Sequence, residues 1–129
     1  MISDWSNLIR NSPIVAMSLI FHITHQDQWQ QAQQQGFYRC DSLESEGFIH
    51  CSRREQVVWV ADSFYRAQPS LVLLCIDAAR VQAEIKYETI ENGEQFPHLY
   101  GVLNLDAVVD ILNFAPGKNG LFELPEIKV

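Results

Sequence analysis

Residues 18–24 read Ser-Leu-Ile-Phe-His-Ile-Thr. This stretch decides the fold, because it predicts a strand that leads directly into a helix. Its aromatic and β-branched residues predict a first strand from Ser18 to Thr24. Thr24 can also cap a helix, and the glutamine-rich residues that follow, with Trp29 on their apolar face, predict that helix over Gln26 to Gln35. Gly36 is placed to end it. A strand that runs directly into a helix indicates a domain built from both.

A second strand and helix follow in the same order. An extended piece at Phe37 to Cys40 and a polar loop at Asp41 to Glu46 lead to a strand at Phe48 to Cys51. Ser52 to Glu55 has the spacing of a capping box, in which the first hydroxyl and the last carboxylate each bond a backbone N–H. We therefore expect Ser52 to cap a helix that runs to Gln68 and stops before proline.

The rest of the chain predicts three further strands. Leu71 to Ile76 is apolar almost throughout, which is typical of a central strand buried on both faces. Ile85 to Ile90 alternates as a strand, and Ala107 to Phe114 could be strand or helix, with its β-branched residues favouring strand. Glu91 to Gly101 contains many turn formers and predicts a loop between them.

These elements predict one α+β domain over residues 18–129. Residues 1–17 form an N-terminal extension of uncertain status, because they show neither strand alternation nor a clear helical stripe. Met17 is one candidate for the biological start. The alternative is an N-terminal helix that docks on the domain through Trp5, Leu8 and Ile9.

The composition of the chain argues against some classes of binding partner. The chain has 129 residues, 47% of them hydrophobic, which suffices for the core of one domain. Its net charge of -7 and only nine basic residues argue against nucleic acid and anionic membranes as partners. The apolar stretch Pro13 to Phe21 is too short to span a bilayer.

The three cysteines, Cys40, Cys51 and Cys75, include no CxxC pair, which fits reduced thiols in the cytosol. No basic leader precedes a small-residue cleavage site, so a secretory signal is not expected. Together these features predict a cytoplasmic protein.

Polar residues interrupt apolar segments at three places. His22 and Thr24 leave the same face of the first strand, and His50 and Ser52 repeat that pattern in the second. A helix that starts at Ser52 would add free backbone N–H donors, and Arg53 would add positive charge for an anionic group. In each case the alternative is a purely structural role, in which the histidine satisfies a buried network and Ser52 only caps the helix.

The third interruption lies between a proline and a glycine. His98 and Tyr100 alternate together if this segment is extended, and rigid loops often supply binding groups. A hydrogen-bonded turn is the structural alternative. No metal site is predicted, since neither a helical HxxxH nor a CxxC spacing is present, and a zinc hydrolase is the least favoured reading.

Three stretches carry a resemblance to a known family. Residues 20–24 (Ile-Phe-His-Ile-Thr), 46–52 (Glu-Gly-Phe-Ile-His-Cys-Ser) and 96–101 (Phe-Pro-His-Leu-Tyr-Gly) together resemble domain-of-unknown-function family 952. The resemblance implies an ADP-ribosyltransferase-like fold, a split mixed β-sheet with flanking helices around a cleft where related enzymes hold NAD. It implies that His22 contacts a ribose hydroxyl and that His50 is the second motif residue. The third motif residue is usually a glutamate, for which His98 and Glu88 are the candidates here.

We therefore expect a small-molecule enzyme or binding domain with an ADP-ribosyltransferase-like cleft, acting on NAD or an ADP-ribose-type metabolite. NAD would be a substrate, and no cofactor is otherwise indicated. The expected catalytic residues are His22, His50 and His98, and the expected ligand-binding residues are Thr24, Ser52, Arg53 and Tyr100. The alternative is a non-enzymatic protein-interaction module that retains the fold.

Overall fold

The computed structural model describes residues 18–129. Its strands are β1 (Leu19–His25), β2 (Phe37–Tyr38), β3 (Ile49–His50), β4 (Leu71–Asp77), β5 (Glu84–Thr89), β6 (Gln95–Tyr100), β7 (Leu103–Asn104) and β8 (Val108–Phe114). Its α-helices are α1 (Gln26–Gln35), α2 (Asp41–Ser45) and α3 (Val57–Phe64). Short 3-10 turns lie at Arg54–Gln56, Ala78–Arg80 and Leu105–Ala107.

Strand β4 is the centre of the first three-stranded sheet, in the order β1-β4-β8. Every residue of Leu71–Asp77 is buried, as the continuous apolar run predicts. Alternate residues of this strand enter two different cores, with Leu74 in the first and Leu73 in the second. The first core packs against α1 and the second sheet, and the second core packs against α3.

The second three-stranded sheet has the order β3-β6-β5. It meets the first sheet at an isolated antiparallel bridge between Phe21 and Ser52. The two residues exchange backbone hydrogen bonds of 2.8 and 2.7 Å. A small pair of strands, β2 and β7, closes one end.

The expected loop at residues 91–101 is wrong, because Gln95–Tyr100 forms the central strand of the second sheet. The misleading residue is Pro97, since proline has no N–H and is rare in central strands. Its carbonyl accepts from the Cys51 N–H at 3.0 Å, so its nitrogen faces the same side. That side is where β3 ends, and pairing with β5 is therefore unaffected.

Two local predictions also need correction. The expected polar loop at residues 41–46 contains the short helix Asp41–Ser45. Ser52 does not cap the following helix, because its backbone is used in the bridge to Phe21. Instead the Arg53 N–H donates to Oε1 of Gln56 at 2.9 Å, and the helical segment starts one residue later than expected.

The second helix is also shorter than its apolar spacing predicts. It ends at Phe64 rather than at Gln68, and Ala67 has a φ of 62°, in the left-handed region. The Ala67 N–H donates to the Gly120 carbonyl at 3.0 Å. A long-range backbone contact thus bends the chain before Pro69 is reached.

The α+β class is confirmed, whereas the mixed sheet implied by the resemblance is wrong. Every strand pair of residues 18–129 is antiparallel. All three cysteines are free thiols, as expected. No helix in the described range has both the length and the apolar character needed to cross a bilayer. The predictions for residues 1–17 lie outside the described residues.

The two-core arrangement predicts that both faces of β4 matter equally for stability. Leu73→Ala and Leu74→Ala should each lower the free energy of unfolding by about 2–5 kcal/mol, because each leaves a cavity in a different core. The measurement is urea unfolding followed by circular dichroism. Leu124→Ala, at an exposed leucine, is the matched control and should change stability by less than about 0.5 kcal/mol. A large loss in one buried variant and none in the other would contradict the arrangement.

Candidate functional site

A cavity of about 530 Å³ opens beside the bridge that joins the two sheets. This volume lies within the range of small-molecule pockets, roughly 300–1,000 Å³. One wall carries polar groups from β1, α1, β2 and the end of β3. The rest of the lining, the apolar wall, comes mainly from α3 and its surroundings. The lining residues that matter below are His22, Thr24, Gln28, Tyr38, Asp41, His50, Ser52, Trp59, Phe64 and His98.

The polar wall begins with His22, which strand alternation places on the same face of β1 as Thr24. Their neighbours Phe21 and Ile23 point into the second core. Because an unpaired buried imidazole is costly, its bonding partners are informative. His22 Nδ1 lies 2.5 Å from the His50 carbonyl, and its Nε2 lies 2.8 Å from the Tyr38 hydroxyl.

The hydrogen-bonded chain continues beyond Tyr38. Its hydroxyl is 2.9 Å from Thr24 Oγ1, which is 2.7 Å from Gln28 Oε1. Thus a line of polar atoms runs from β3 through β1 and β2 to α1. Tyr38 and Gln28 were not singled out from the sequence. Gln28 lies four residues after Thr24, and that spacing at the start of a helix is the signal that could have identified it.

Burial lowers the pKa of His22 to about 4, and the hydrogen bond to the His50 carbonyl opposes this shift without reversing it. His22 is therefore neutral at pH 7. Since a carbonyl can only accept, Nδ1 carries the single ring proton, and Nε2, which faces the Tyr38 hydroxyl, is the unprotonated nitrogen. Burial likewise raises the pKa of Tyr38, so its hydroxyl keeps its proton.

Phe48, His50, His98 and Tyr100 form an aromatic cluster on the second sheet. The Phe48 and His98 rings are stacked, with centroids 4.0 Å apart and planes inclined by 17°. The centroids of His50 and His98 are 5.4 Å apart. The His50 side chain is 53% exposed, and its Nε2 pairs with Glu46 at 3.1 Å.

Glu88 joins His98 to Tyr100. Its Oε1 accepts from the Tyr100 hydroxyl at 2.5 Å and lies 2.8 Å from His98 Nδ1. Two hydrogen bonds lower the pKa of the Glu88 carboxyl. The larger effect comes from the bond with Tyr100, and the next largest comes from the bond with His98. The same carboxylate raises the pKa of Tyr100. His98 itself is 5% exposed and faces the cavity.

The apolar wall is dominated by aromatic side chains. Trp59 is 44% exposed and Phe64 is 65% exposed, and their rings meet edge to face at 6.1 Å. Phe96 contacts the other side of Trp59, also at 6.1 Å. Two large aromatic rings thus stand at the edge of the cavity with part of their surface open to a ligand.

The structure brings most of the predicted site residues together. Those that line the cavity are His22, Thr24, His50, Ser52 and His98. Ser52 is buried, and its hydroxyl has no hydrogen-bond partner within residues 18–129. Arg53 and Tyr100 do not line the cavity: Arg53 pairs with Glu55 at 3.4 Å, and Tyr100 holds Glu88.

The ribose contact implied for His22 is not available directly, because both of its ring nitrogens are engaged within the protein. The same engagement leaves no lone pair for a metal. Across the part of the chain that the structure describes, no group of three or more His, Cys, Asp or Glu side chains could hold a metal ion. Among the described residues, the Ser52 hydroxyl is left without a partner, and it is one polar group of the cavity lining that an incoming ligand can reach.

A family model described as "Protein of unknown function (DUF952)" matches residues 23–111. The X-ray crystal structure of protein CC0527 from Caulobacter crescentus is similar, with 31% identity and a TM-score of 0.78, over 83% of this chain and 95% of that chain. Its solution NMR structure gives 32% identity and a TM-score of 0.74, over 84% and 94%. A comparison with curated proteins finds no match.

The neutral state of His22 predicts a pH dependence of stability. Its pKa is about 4 in the folded protein against 6.5 ordinarily, so between these values the unfolded chain binds more protons and stability falls as pH falls. From pH 7 to pH 5 the loss should be about 2 kcal/mol. In His22→Asn, which cannot titrate, the fall over this interval should be smaller by about that amount. Urea unfolding at both pH values measures it.

His50→Asn is the matched control, because it removes a half-exposed imidazole and keeps the carbonyl that His22 binds. It should retain the wild-type pH dependence. Equal slopes in wild type and His22→Asn would contradict the neutral, buried state of His22.

Proposed function

The chain belongs to the DUF952 family of proteins of unknown function, and we propose that it is a small-molecule enzyme or binding domain whose cavity takes the nicotinamide-ribose end of NAD or the corresponding ribose of an ADP-ribose-type metabolite. The observation that carries the proposal is the cavity itself. Its lining combines hydroxyl, amide and imidazole groups with aromatic rings. A ribose with an aromatic ring attached offers hydroxyl groups to the polar residues and a flat ring to the aromatic residues.

The position of His22 and Thr24 supports an ADP-ribosyltransferase-like cleft. Both lie on the first strand, at the point where two sheets meet and then separate. The antiparallel pairing of all described strands differs from the mixed sheet of that class. The proposed likeness is therefore one of the cleft and its first-strand residues.

The charged residues of the cavity lining favour a neutral or cationic group inside the cavity. Within residues 18–129, no lysine or arginine lines the cavity, and Asp41 does. Aromatic faces and a carboxylate stabilise a pyridinium ring or a sugar that gains positive charge as its glycosidic bond breaks. The reaction best suited to this site is cleavage at the nicotinamide ribose or transfer of the ribosyl group.

The phosphates of such a ligand would remain outside the cavity. A polar groove of about 210 Å³ adjoins it and shares Gln28, Cys40 and Asp41 with it. Arg39 lies in this groove and can pair with a phosphate, although Asp41 and Glu44 reduce its local field. In this arrangement Ser52 hydrogen-bonds a ribose hydroxyl, and Trp59 covers the nicotinamide or the sugar.

A protein-interaction module is the alternative function. The exposed rings of Trp59 and Phe64 favour it, since aromatic residues are enriched in interface cores. An open cavity behind those rings is better explained by a small ligand, because a module that had lost its ligand would be expected to fill the space with side chains.

The proposal predicts measurable binding by the unmodified protein. In titration calorimetry, NAD and ADP-ribose should bind with dissociation constants of about 1 mM or lower, that is, by at least about 4 kcal/mol. Trp59→Ala should weaken NAD binding by about 2- to 10-fold, the loss expected for one aromatic contact.

Tyr87→Ala is the matched control, because Tyr87 is a similarly exposed aromatic residue that does not line the cavity. The affinity of this variant for NAD should equal that of the wild type. If NAD, ADP-ribose and nicotinamide all fail to bind at millimolar concentration, the small-molecule function is wrong and the interaction module takes its place.

A further inference from the structure

We propose that His98 is the general base of this cavity and that Glu88 and Tyr100 are the residues that position it. The inference deepens the proposed function and rests on it, because it assigns the proton-transfer step at the same site. It comes from contacts that the motif pattern did not predict. The pattern offered Glu88 and His98 as alternatives for one position, whereas the structure joins them in a pair.

The pair fixes which nitrogen of His98 is free. A carboxylate accepts hydrogen bonds and does not donate, so Glu88 at 2.8 Å places the ring proton on Nδ1. Nε2 then carries a lone pair. Within the described residues only Nδ1 of this ring has a hydrogen-bond partner. An imidazole with a bare Nε2 that faces a cavity is arranged to accept a proton.

The ring and the carboxylate are both held in place. Phe48 stacks on the His98 ring at 4.0 Å. Tyr100 donates to the Glu88 oxygen that also faces His98, so the half-exposed carboxylate is oriented from two sides. Lys86 Nζ lies over the Tyr100 ring, 4.6 Å from its centre.

Several other charged or titratable groups face this pair. His50 is the nearest, with its ring centre 5.4 Å from that of His98, and Glu46 is bonded to His50. Lys86 lies near Glu88, and Glu84 lies near Tyr100. Glu88 is therefore the carboxylate in direct contact with His98, and the more distant charged groups include both positive and negative ones.

The other histidines of the cavity are less suited to the role. His22 has both nitrogens engaged. His25 Nε2 lies 3.1 Å from Gln68 Oε1. The pair of His50 with Glu46 is half exposed on both sides, and exposed pairs of this kind hold their geometry weakly. His98 combines burial, a carboxylate partner and a free nitrogen.

The step assigned to His98 is activation of water for attack on C1′ of the nicotinamide ribose. The water oxygen forms a bond to C1′ while the C1′–N bond breaks, and its electron pair returns to the pyridinium nitrogen. Nicotinamide leaves neutral. One water proton passes to Nε2 and is later released to solvent, so NAD and water give ADP-ribose, nicotinamide and a proton. Glu88 stabilises the imidazolium that forms in between.

The first test needs no substrate. Nitrogen-15 NMR of the histidine rings in the full chain at neutral pH should show His98 with its proton on Nδ1. Glu88→Gln keeps an acceptor and should preserve this tautomer, whereas Glu88→Ala should lose it. Glu46→Ala is the matched control and should leave His98 unchanged. A proton on Nε2 in the wild type, or no effect of Glu88→Ala, would overturn the pair.

The second test measures nicotinamide release from NAD. His98→Asn keeps a donor close to the Nδ1 position and removes Nε2, so kcat should fall by about 10²- to 10⁴-fold, as is usual for loss of a general base. The dissociation constant of NAD, measured by calorimetry, should stay within a few-fold of the wild type. Glu88→Gln should reduce kcat less than His98→Asn, and Glu46→Gln should leave it unchanged.

The outcomes separate the two proposals. Cleavage by His98→Asn at the wild-type rate, or binding of NAD without cleavage by the wild type, would overturn the general base and leave the binding function in place. Failure of NAD, ADP-ribose and nicotinamide to bind would overturn the proposed function together with the step assigned to it. The tautomer would then still report whether the Glu88–His98 pair exists.

Discussion

The site depends on two backbone hydrogen bonds between Phe21 and Ser52. They join the first sheet to the second at a single residue pair, and β1 is an edge strand of its sheet. Because the bridge is this short, the two sheets are fixed to each other without merging. The side chains that follow Phe21 on one strand and precede Ser52 on the other therefore meet at the cavity. The bridge also explains why Ser52 cannot cap the next helix.

The polar side chains of the cavity are fixed in place because they are buried and must be hydrogen-bonded. His22 and Thr24 occupy positions of β1 whose partners across the ladder, Leu74 and Val72, belong to the first core. In that environment each polar atom needs a partner, and the His50 carbonyl, Tyr38 and Gln28 supply them. The network thus ties four elements together and at the same time brings polar groups to the cavity. Structural and ligand-binding roles are not exclusive for these residues.

The sequence predicted the elements whose signals are local. The apolar run of β4, the alternation of β1 and the glutamine-rich helix α1 are confirmed with boundaries close to those expected. What failed depends on contacts distant in sequence. Pro97 is tolerated in a central strand because its nitrogen faces the end of β3, and the second helix stops where Ala67 bonds Gly120. Neither condition can be read from neighbouring residues.

The same distinction applies to the site. Two-residue alternation was enough to place His22 with Thr24, and three separated histidines do line one cavity. Their different surroundings were not predictable, because these come from Tyr38, Glu88 and Phe48 on other elements. His22 contacts only uncharged groups and is held neutral, whereas His98 contacts a carboxylate that can stabilise its protonated form. Enzymes commonly divide acid and base roles between like residues by placing them in unlike surroundings. On that argument, the role we propose for His22 is to maintain the shape of the cavity, and the role we propose for His98 is proton transfer.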